Sequence, residues 1–591
     1  MNLKKNIHTF HIPVLGTAYS IDTPAKVAHL GISSVISLAD DYLVEKMREF
    51  YSSMLNIPFQ PISRKTHDHR AIRITSYLNM IDKIVKEKFE ELKNTLSEKN
   101  SELQKYMEML PDFSELKNDF FESLNNNNFL KDVKKWLSEN ISPGAIDVNI
   151  MTKLDTANYK FGEPLPVEFN NAHAALRGFA NSNLQSSVVL SAGMNPRLYS
   201  YFEEFKDFYP DENGKLNKKI ILKVSDYRSA LIQGKFLAKK GLWISEFRVE
   251  SGLNCGGHAF ATQGNLLGPI LEEFKHNRES LRNIIFEEYA IALKDKNLFC
   301  PQTPPEIKLT AQGGVGTSDE HNFLLEHYQL DSVGWGTPFL LVPEVVNIDE
   351  NTIELLEKAH ENDLYLSGIS PLGVPFNSVK NNSQDINKEQ LIKNGTPGSV
   401  CPRKYLNFFT EFNSHGECSA SRTYQKAKIA ELDSRNLPKL EYKKLWDKIV
   451  EKACICVGLG APITNKDDHK IAGTSVCPGP NIAYFDKRMN LKTMIDHIYG
   501  RINVISRTDR PNLFLKELRL YIDYLTTKIE DTPKPTTIKD KKYLEGFQTN
   551  LLEGIEYYKN LFTEFKGKVQ DFKEEAVTEL KTLENKVKEL F

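Results

Sequence analysis

Cysteine is scarce in this chain, seven among 591 residues, too few and of odd number for a disulfide scaffold. Neither sign of charge prevails: 76 Lys and Arg face 78 Asp and Glu, which excludes a strongly polycationic nucleic-acid binder. The Lys-rich helical stretches are interspersed with Glu and read as solvated faces, so no nucleic-acid partner is expected. No run approaches eighteen consecutive apolar residues, and the opening MNLKKNIHTFHIPVLG lacks both a long apolar core and a small-residue cleavage site. The expectation is a soluble, cytoplasmic protein without a membrane partner. What is present is 40% apolar and 26% charged residues, over a length that calls for a large domain with additions.

Strand-like runs occur at Ile12 to Tyr19, Ser33 to Ala39, Ile146 to Thr152, Ser186 to Ala192, Lys219 to Val224, Leu242 to Val249, Ile307 to Gln312 and Ser332 to Trp335, most separated by stretches able to carry a helix. Eight strands with intervening helices predict an α/β fold, a (β/α)8 TIM barrel whose site lies at the carboxyl ends of the strands. A doubly wound sheet shares the alternation, but Val14 to Tyr19 holds one glycine where G-x-G-x-x-G would stand. The expected organisation is residues 1–75 as the first part of the barrel, 76–140 as a helical insertion, 141–344 as the rest of the barrel, 345–500 as a cysteine-bearing extension and 501–591 as C-terminal helices. In the tail, Phe565, Val569, Phe572, Ala576, Leu580, Leu583, Val587 and Leu590 recur by threes and fours. They suit a helix packed on its own chain or a coiled coil joining a homodimer.

Two Gly-rich strand ends stand about twenty residues apart, Gln312-Gly313-Gly314-Val315-Gly316-Thr317 and Gly334-Trp335-Gly336-Thr337-Pro338-Phe339. Backbone N–H groups unshielded by side chains bind phosphate, and in a closed barrel these ends would be neighbours. A third segment, Glu250-Ser251-Gly252-Leu253-Asn254-Cys255-Gly256-Gly257-His258, brings an imidazole to the end of a glycine loop. Imidazoles ordinarily titrate near neutrality, which makes His258 the acid/base candidate, against the plainer role of satisfying a loop carbonyl. Cys255 is either a reactive thiol or an inert small residue.

Together with Ile12 to Gly16, Ser20 to Ala28, Gly31 to Leu38 and Val148-Asn149-Ile150-Met151, these segments resemble the nitronate monooxygenase (2-nitropropane dioxygenase) family, which includes the FMN-dependent enoyl-acyl-carrier-protein reductases. The resemblance covers roughly Ile12 to Glu344 outside the helical insertion. It implies an FMN-binding TIM barrel in which Gly313, Gly314, Gly336 and Thr337 hold the flavin phosphate, Asn149 approaches the isoalloxazine ring and His258 stands beside its face. Lys153 and Lys223 are candidates for positive charge at the pyrimidine edge, against ordinary solvated lysines. The activity implied is oxidation of a small organic substrate with proton transfer by the histidine, or NAD(P)H-driven enoyl-thioester reduction on the same fold. A flavinless phosphate-binding barrel acting as an interaction scaffold is the rival from another class. The family's compact E-A-G-G-H is here lengthened by Leu253-Asn254-Cys255.

Beyond Glu344, Cys401, Cys418, Cys454, Cys456 and Cys477 are separated by 16, 35, 1 and 20 residues. Soft thiolates in a cytosolic chain suggest a [4Fe-4S] cluster or structural zinc, with Cys401, Cys418, Cys454 and Cys456 as the candidate ligands, against scattered buried thiols. His415 is an alternative ligand, or a solvent-facing loop residue.

Overall fold

The computed structural model describes residues 8–94, 101–124, 133–160, 162–256, 263–465, 473–531, 537–566 and 574–590. Eight strands close into a barrel: β1 Phe10–Ile12, β2 Ser33–Ser37, β3 Ile146–Ile150, β4 Ser187–Leu190, β5 Lys219–Val224, β6 Ile244–Glu250, β7 Lys308–Gln312 and β8 Ser332–Gly334. Each pairs in parallel with the next in the chain, and β8 returns to β1 through Phe10↔Val333 and His11↔Gly334. This is the expected TIM barrel. Its first strand lies earlier than Ile12 to Tyr19, because Pro13 has no N–H for the ladder and Gly16, at φ +146°, turns the chain away.

Strand alternation sorts the residues of β6. Phe247 and Val249 are buried on the outer face, where Phe247 meets Phe274 of the helix Leu267–Asp295 with ring centroids 6.2 Å apart. Glu246, Arg248 and Glu250 turn inward, in register with Lys308, Thr310 and Gln312 of β7. Across the barrel the inward positions include an apolar layer of Val35, Val189 and Ile221, with Val14 against it. Lys223, Glu250 and Gln312 stand at or next to the carboxyl ends of their strands.

Helices fill the stretch between β2 and β3. The helix Asp41–Met54 starts on Asp40, whose carboxylate accepts from the N–H groups of Tyr42 and Leu43. His69–Asn94 follows and packs on Asn171–Ala180 closely enough that a Cβ at Gly178 would lie 2.7 Å from Ile74 Cγ2.

After β8 the chain adds an antiparallel pair, β9 Leu364–Ser367 with β10 Phe376–Val379, and then helices that pack back on the barrel. Ile455–Thr464 reaches the barrel mouth, where Ala18 N–H donates to Leu459 O at 3.1 Å. Leu513–Asp531, Ile538–Glu564 and Glu574–Lys588 share one hydrophobic core with the barrel. In the last of these Ala576, Leu580 and Val587 are buried within this chain; Val569 and Phe572 of the same stripe lie outside the described residues. Among the described residues no helix is long and apolar enough to cross a membrane.

Candidate active site at the barrel mouth

The carboxyl ends of the strands open on a cavity holding about 1260 Å³ of free space, its open mouth included. Polar groups reach it from five strands: Ser37 from β2, Asn149 from β3, Lys223 from β5, Arg248 and Glu250 from β6 and Gln312 from β7. Val14, Val35, Val189 and Leu154 supply apolar wall from the barrel side. The wall is completed by Leu372, Leu406, Ile455 and Leu459, all from beyond Glu344.

Glu250 organises the polar layer. One carboxylate oxygen accepts from Lys223 Nζ at 3.0 Å, Asn254 Nδ2 at 2.9 Å and Gln312 Nε2 at 2.8 Å. Three donors meet on this one buried oxygen, and the ion pair with Glu250 fixes Lys223 Nζ at the cavity wall. Beneath, Arg248 binds Glu246 at 2.7 Å, and the Thr310 hydroxyl also donates to Glu246 at 2.6 Å. Burial pushes the Asp147 carboxyl up to about 6, with Arg248 acting against the rise. Asn149 donates from Nδ2 to Val189 O at 3.0 Å, which leaves its carbonyl edge for the cavity.

The sequence-predicted residues divide into two groups. Asn149, Lys153 and Lys223 line the cavity. Gly313, Gly314, Gly336 and Thr337 are drawn together, as neighbouring strands of the closed barrel require, but behind the loop Ser251 to Gly256. A Cβ on Gly314 would stand 2.5 Å from Leu253 Cδ1, and one on Gly336 would stand 3.2 Å from Cys255 Cβ. Gly257 and His258 lie outside the described residues, just after the cavity-lining Gly256.

Cys477 to Asn481 form a strap over these strand ends. Cys477 O accepts from Gly256 N–H at 2.9 Å and from the Cys255 thiol at 3.2 Å. Thr337 Oγ1 donates to Pro478 O at 2.7 Å, and Asn481 Nδ2 donates to Val315 O at 3.0 Å. Beside the strap, Glu320 takes the Gly316 N–H at 2.8 Å and the Leu513 N–H at 2.7 Å. Arg510 grips Glu320 through both terminal nitrogens at 2.8 Å while its Nε reaches Asn481. A carboxylate of this chain therefore takes up the Gly316 amide of the β7 loop.

For the flavin mononucleotide implied by the resemblance, the two ends fare differently. Asn149, Lys223 and Gln312 present the polar groups that a planar ring's edge requires, in a cavity with apolar sides. The phosphate end does not fit as the chain closes it, since Leu253, the strap and Glu320 fill the space in front of the glycines. Burial raises the Cys255 thiol well above its ordinary value, which makes it the inert alternative.

Sequence reading missed both devices. The period-two pattern Glu246-x-Arg248-x-Glu250 in a run read as an apolar strand was the available signal for the polar layer. Nothing local marks Glu320 and Arg510 as partners across 190 positions.

The candidate metal ligands also gather. Cys401, Cys418 and Cys456 pack in one small cluster with Leu406 and Ala420, and Cys454 is the residue before the helix Ile455–Thr464. The Cys418 thiol hydrogen-bonds Cys401, bringing the Cys401 thiol down to about 7, with help from the Lys404 N–H; Cys418 itself is raised. All are free thiols. Among the described residues no group of three Cys, His, Asp or Glu is arranged to hold a metal ion. His415 is exposed and stands edge-on to Tyr159, with centroids 4.9 Å apart.

The chain matches no protein-family model and no curated protein. Among solved structures it is similar to the enoyl reductase domain of MlnA from the macrolactin biosynthesis cluster of Bacillus amyloliquefaciens, at 13% identity over 68% of this chain and 88% of that one, with a TM-score of 0.35. It is similar also to FabK from Thermotoga maritima, at 12% identity over 89% and 98% with a TM-score of 0.34. A third is the nitroalkane oxidase of Streptomyces ansochromogenes, at 8% identity over 84% and 95% with a TM-score of 0.35. Likenesses at these identities and scores assign neither an activity nor a substrate.

Proposed function

We propose that this chain is a flavin-dependent oxidoreductase acting on a small organic molecule in the barrel-mouth cavity. The observation that carries the reading is the convergence of Asn149, Lys223, Glu250 and Gln312 on one apolar-walled cavity at the carboxyl ends of the strands. The glycine, asparagine and histidine motifs that resemble nitronate monooxygenases support it from the sequence side. Flavin, when bound, supplies the redox chemistry. The chain's own part is to orient and to move protons. Lys223, fixed by Glu250, sets positive charge at the wall where an anionic edge or substrate group would rest. His258, seven positions after Ser251 in the sequence, takes or gives the proton.

The test is an absorbance spectrum of purified protein, then titration with FMN followed by flavin fluorescence. Bands at about 375 and 450 nm are expected of an isoalloxazine. With substrate, His258→Ala is expected to lower turnover by about a hundredfold or more. Colourless protein that takes up no added FMN would remove the proposal. A second reading, a barrel that works without flavin, is favoured by one observation, the anion cup filled by Glu320 and the strap. The same titration decides between them.

A further inference from the structure

We propose that a second cavity, set against the barrel mouth across Tyr405, binds a nucleoside diphosphate, free or as part of a larger molecule. The assignment is independent of the flavin reading and survives its failure.

This cavity holds about 1840 Å³ of free space, its open side included, and Tyr405 lines both it and the barrel mouth. Tyr405 is buried, with its hydroxyl donating to Asp40 Oδ1 at 2.8 Å and its ring 5.0 Å from the Arg70 guanidinium. On the wall Arg64, Arg70, Arg403 and Lys404 stand against the carboxylates of Asp41 and Asp155. Those carboxylates are already engaged. Asp41 pairs with Arg70 at 2.9 Å and Arg73 at 2.8 Å, while Asp155 lies 2.9 Å from His173 Nδ1 and accepts from the Ala172 N–H at 3.0 Å.

The other three cations are not so committed. Arg64 and Lys404 form no ion pair among the described residues. Arg403 Nε stands 3.4 Å from Asp40 without a hydrogen bond there. Its guanidinium lies over the Tyr42 ring at 3.8 Å, and that of Arg64 is 6.0 Å from the same ring. Two guanidiniums gathered on one tyrosine, with Lys404 next in the chain, repel one another, and a bound anion relieves that repulsion. Guanidinium forks match phosphate oxygens in pairs, and a lysine adds a point charge. Arg64, Arg403 and Lys404 together suit the charge of a diphosphate better than that of a monophosphate.

The same wall carries aromatic faces that phosphate alone does not call for. Tyr159 and Phe408 line it at 43% and 40% exposure, and His415 stands beside Tyr159. Open aromatic rings next to cations suit a nucleobase, which stacks on a ring while its phosphates take the charges.

The experiment is calorimetric titration of the full chain, at low salt, with ADP, pyrophosphate, adenosine and ADP-ribose. ADP should bind at least about tenfold more tightly than pyrophosphate or adenosine. Arg64→Ala and Lys404→Ala should each weaken both ADP and pyrophosphate by about tenfold. Tyr159→Ala should weaken ADP alone, and Lys443→Ala, outside the cavity lining, should weaken neither. Urea midpoints should stay at the parent value, since Arg64, Lys404 and Tyr159 are exposed. ADP-ribose within about tenfold of ADP supports a site that admits the nucleotide as part of a larger molecule, and a weaker ADP-ribose supports the free diphosphate. ADP that fails to bind at about 1 mM, or that binds the Arg64→Ala, Lys404→Ala double variant as it binds the parent, overturns the proposal. Pyrophosphate bound as tightly as ADP, with Tyr159→Ala silent, makes the cavity a plain anion site and overturns the nucleotide assignment. Protein that binds ADP but takes up no FMN loses the flavin reading and keeps this one.

Discussion

Glu320→Ala is the substitution with the largest consequence that the barrel mouth allows us to work out. The Glu320 and Arg510 side chains are 4% and 6% exposed, and the guanidinium meets the carboxylate through two bonds of 2.8 Å. The same carboxylate serves the amides of Gly316 and Leu513. Its removal takes the counter-charge from a buried guanidinium, which keeps its bonds to Asn481 Oδ1 and Gly314 O, and leaves two amides without their acceptor. Such truncations cost about 3–5 kcal/mol, and each buried donor left unmatched accounts for about 1–3 kcal/mol of this kind of loss. A urea titration of parent and variant followed by fluorescence measures the difference. The double variant Glu320→Leu with Arg510→Met removes both charges and should recover most of the loss, because an apolar pair has no desolvation penalty to offset. Inorganic phosphate should stabilise Glu320→Ala by about 1.4 kcal/mol at tenfold over its dissociation constant, and the parent by less, since the vacated amides and Arg510 form an anion site. A Glu320→Ala loss of about 1 kcal/mol or less, the range of an exposed pair, refutes the reasoning.

Glu517 lies behind the Ser251 loop, accepting from Ser251 Oγ at 2.6 Å and from Leu267 N–H at 2.8 Å, and burial pushes its carboxyl up from 4.5 to about 7 against those bonds. The folded chain then holds a proton that the unfolded chain releases. Stability should fall by about 3 kcal/mol as pH rises from the unfolded value to about 7 and level off above it. Glu517→Gln should flatten this slope in urea midpoints compared at about pH 5 and about pH 8; an unchanged slope assigns it to other groups. Gly314, at φ +87° with Leu253 against it, should lose about 1–3 kcal/mol or more on substitution by Ala, whereas Gly395, at φ +68° in open space, should lose about 1 kcal/mol; equal losses would show that the packed loop yields freely. Lys223→Met should lower turnover by about a hundredfold in protein that still folds, with the urea midpoint lowered because buried Glu250 loses its counter-charge, and full activity would place the charge outside the chemistry.

The barrel was legible because its strands are short apolar runs at regular intervals, and the two glycine ends announced where β7 and β8 stop. Asn149 was reached through the family resemblance and Lys223 as one of two lysines near strand ends, with a solvated lysine as the alternative; both line the cavity. The first strand was misplaced because Val14 and Leu15 continue the apolar run while Pro13 has already left the ladder. Three parts of the site were not legible for a common reason. The Glu320–Arg510 clamp, the strap at Cys477 and the wall formed by Leu372, Leu406 and Leu459 come from chain segments far apart in sequence. Their pairing is decided by tertiary packing and leaves no periodic trace. The packing of Cys401, Cys418 and Cys456 belongs with them, since the Ser399–Ala420 and Gln425 ties that draw their segments together act across gaps no local pattern bridges.

The same extension that completes the cavity wall also closes the anion cup, so ligands divide by whether they carry a phosphate. A ring entering the cavity would meet Asn149, Lys223 and Gln312, whose hydrogen bonds run to Val189 O, Glu250 and Asn254 rather than to the strap. A phosphate seeking the amides of Gly313 to Gly316 must displace Glu320 and the hydrogen bonds of Asn481 and Thr337. The phosphate's own interactions with the amides are then offset by the clamp they replace. Riboflavin and FMN, which share the ring and differ by the phosphate, should bind the parent protein within about tenfold of each other, a gap of about 1.4 kcal/mol. In Glu320→Ala the cup is vacant and Arg510 is available, so the preference should swing toward FMN by about another tenfold or more. Fluorescence titrations of both flavins against both proteins measure the four constants. An FMN preference above about a hundredfold in the parent, unchanged in the variant, would mean that the phosphate binds elsewhere and that Glu320 guards nothing.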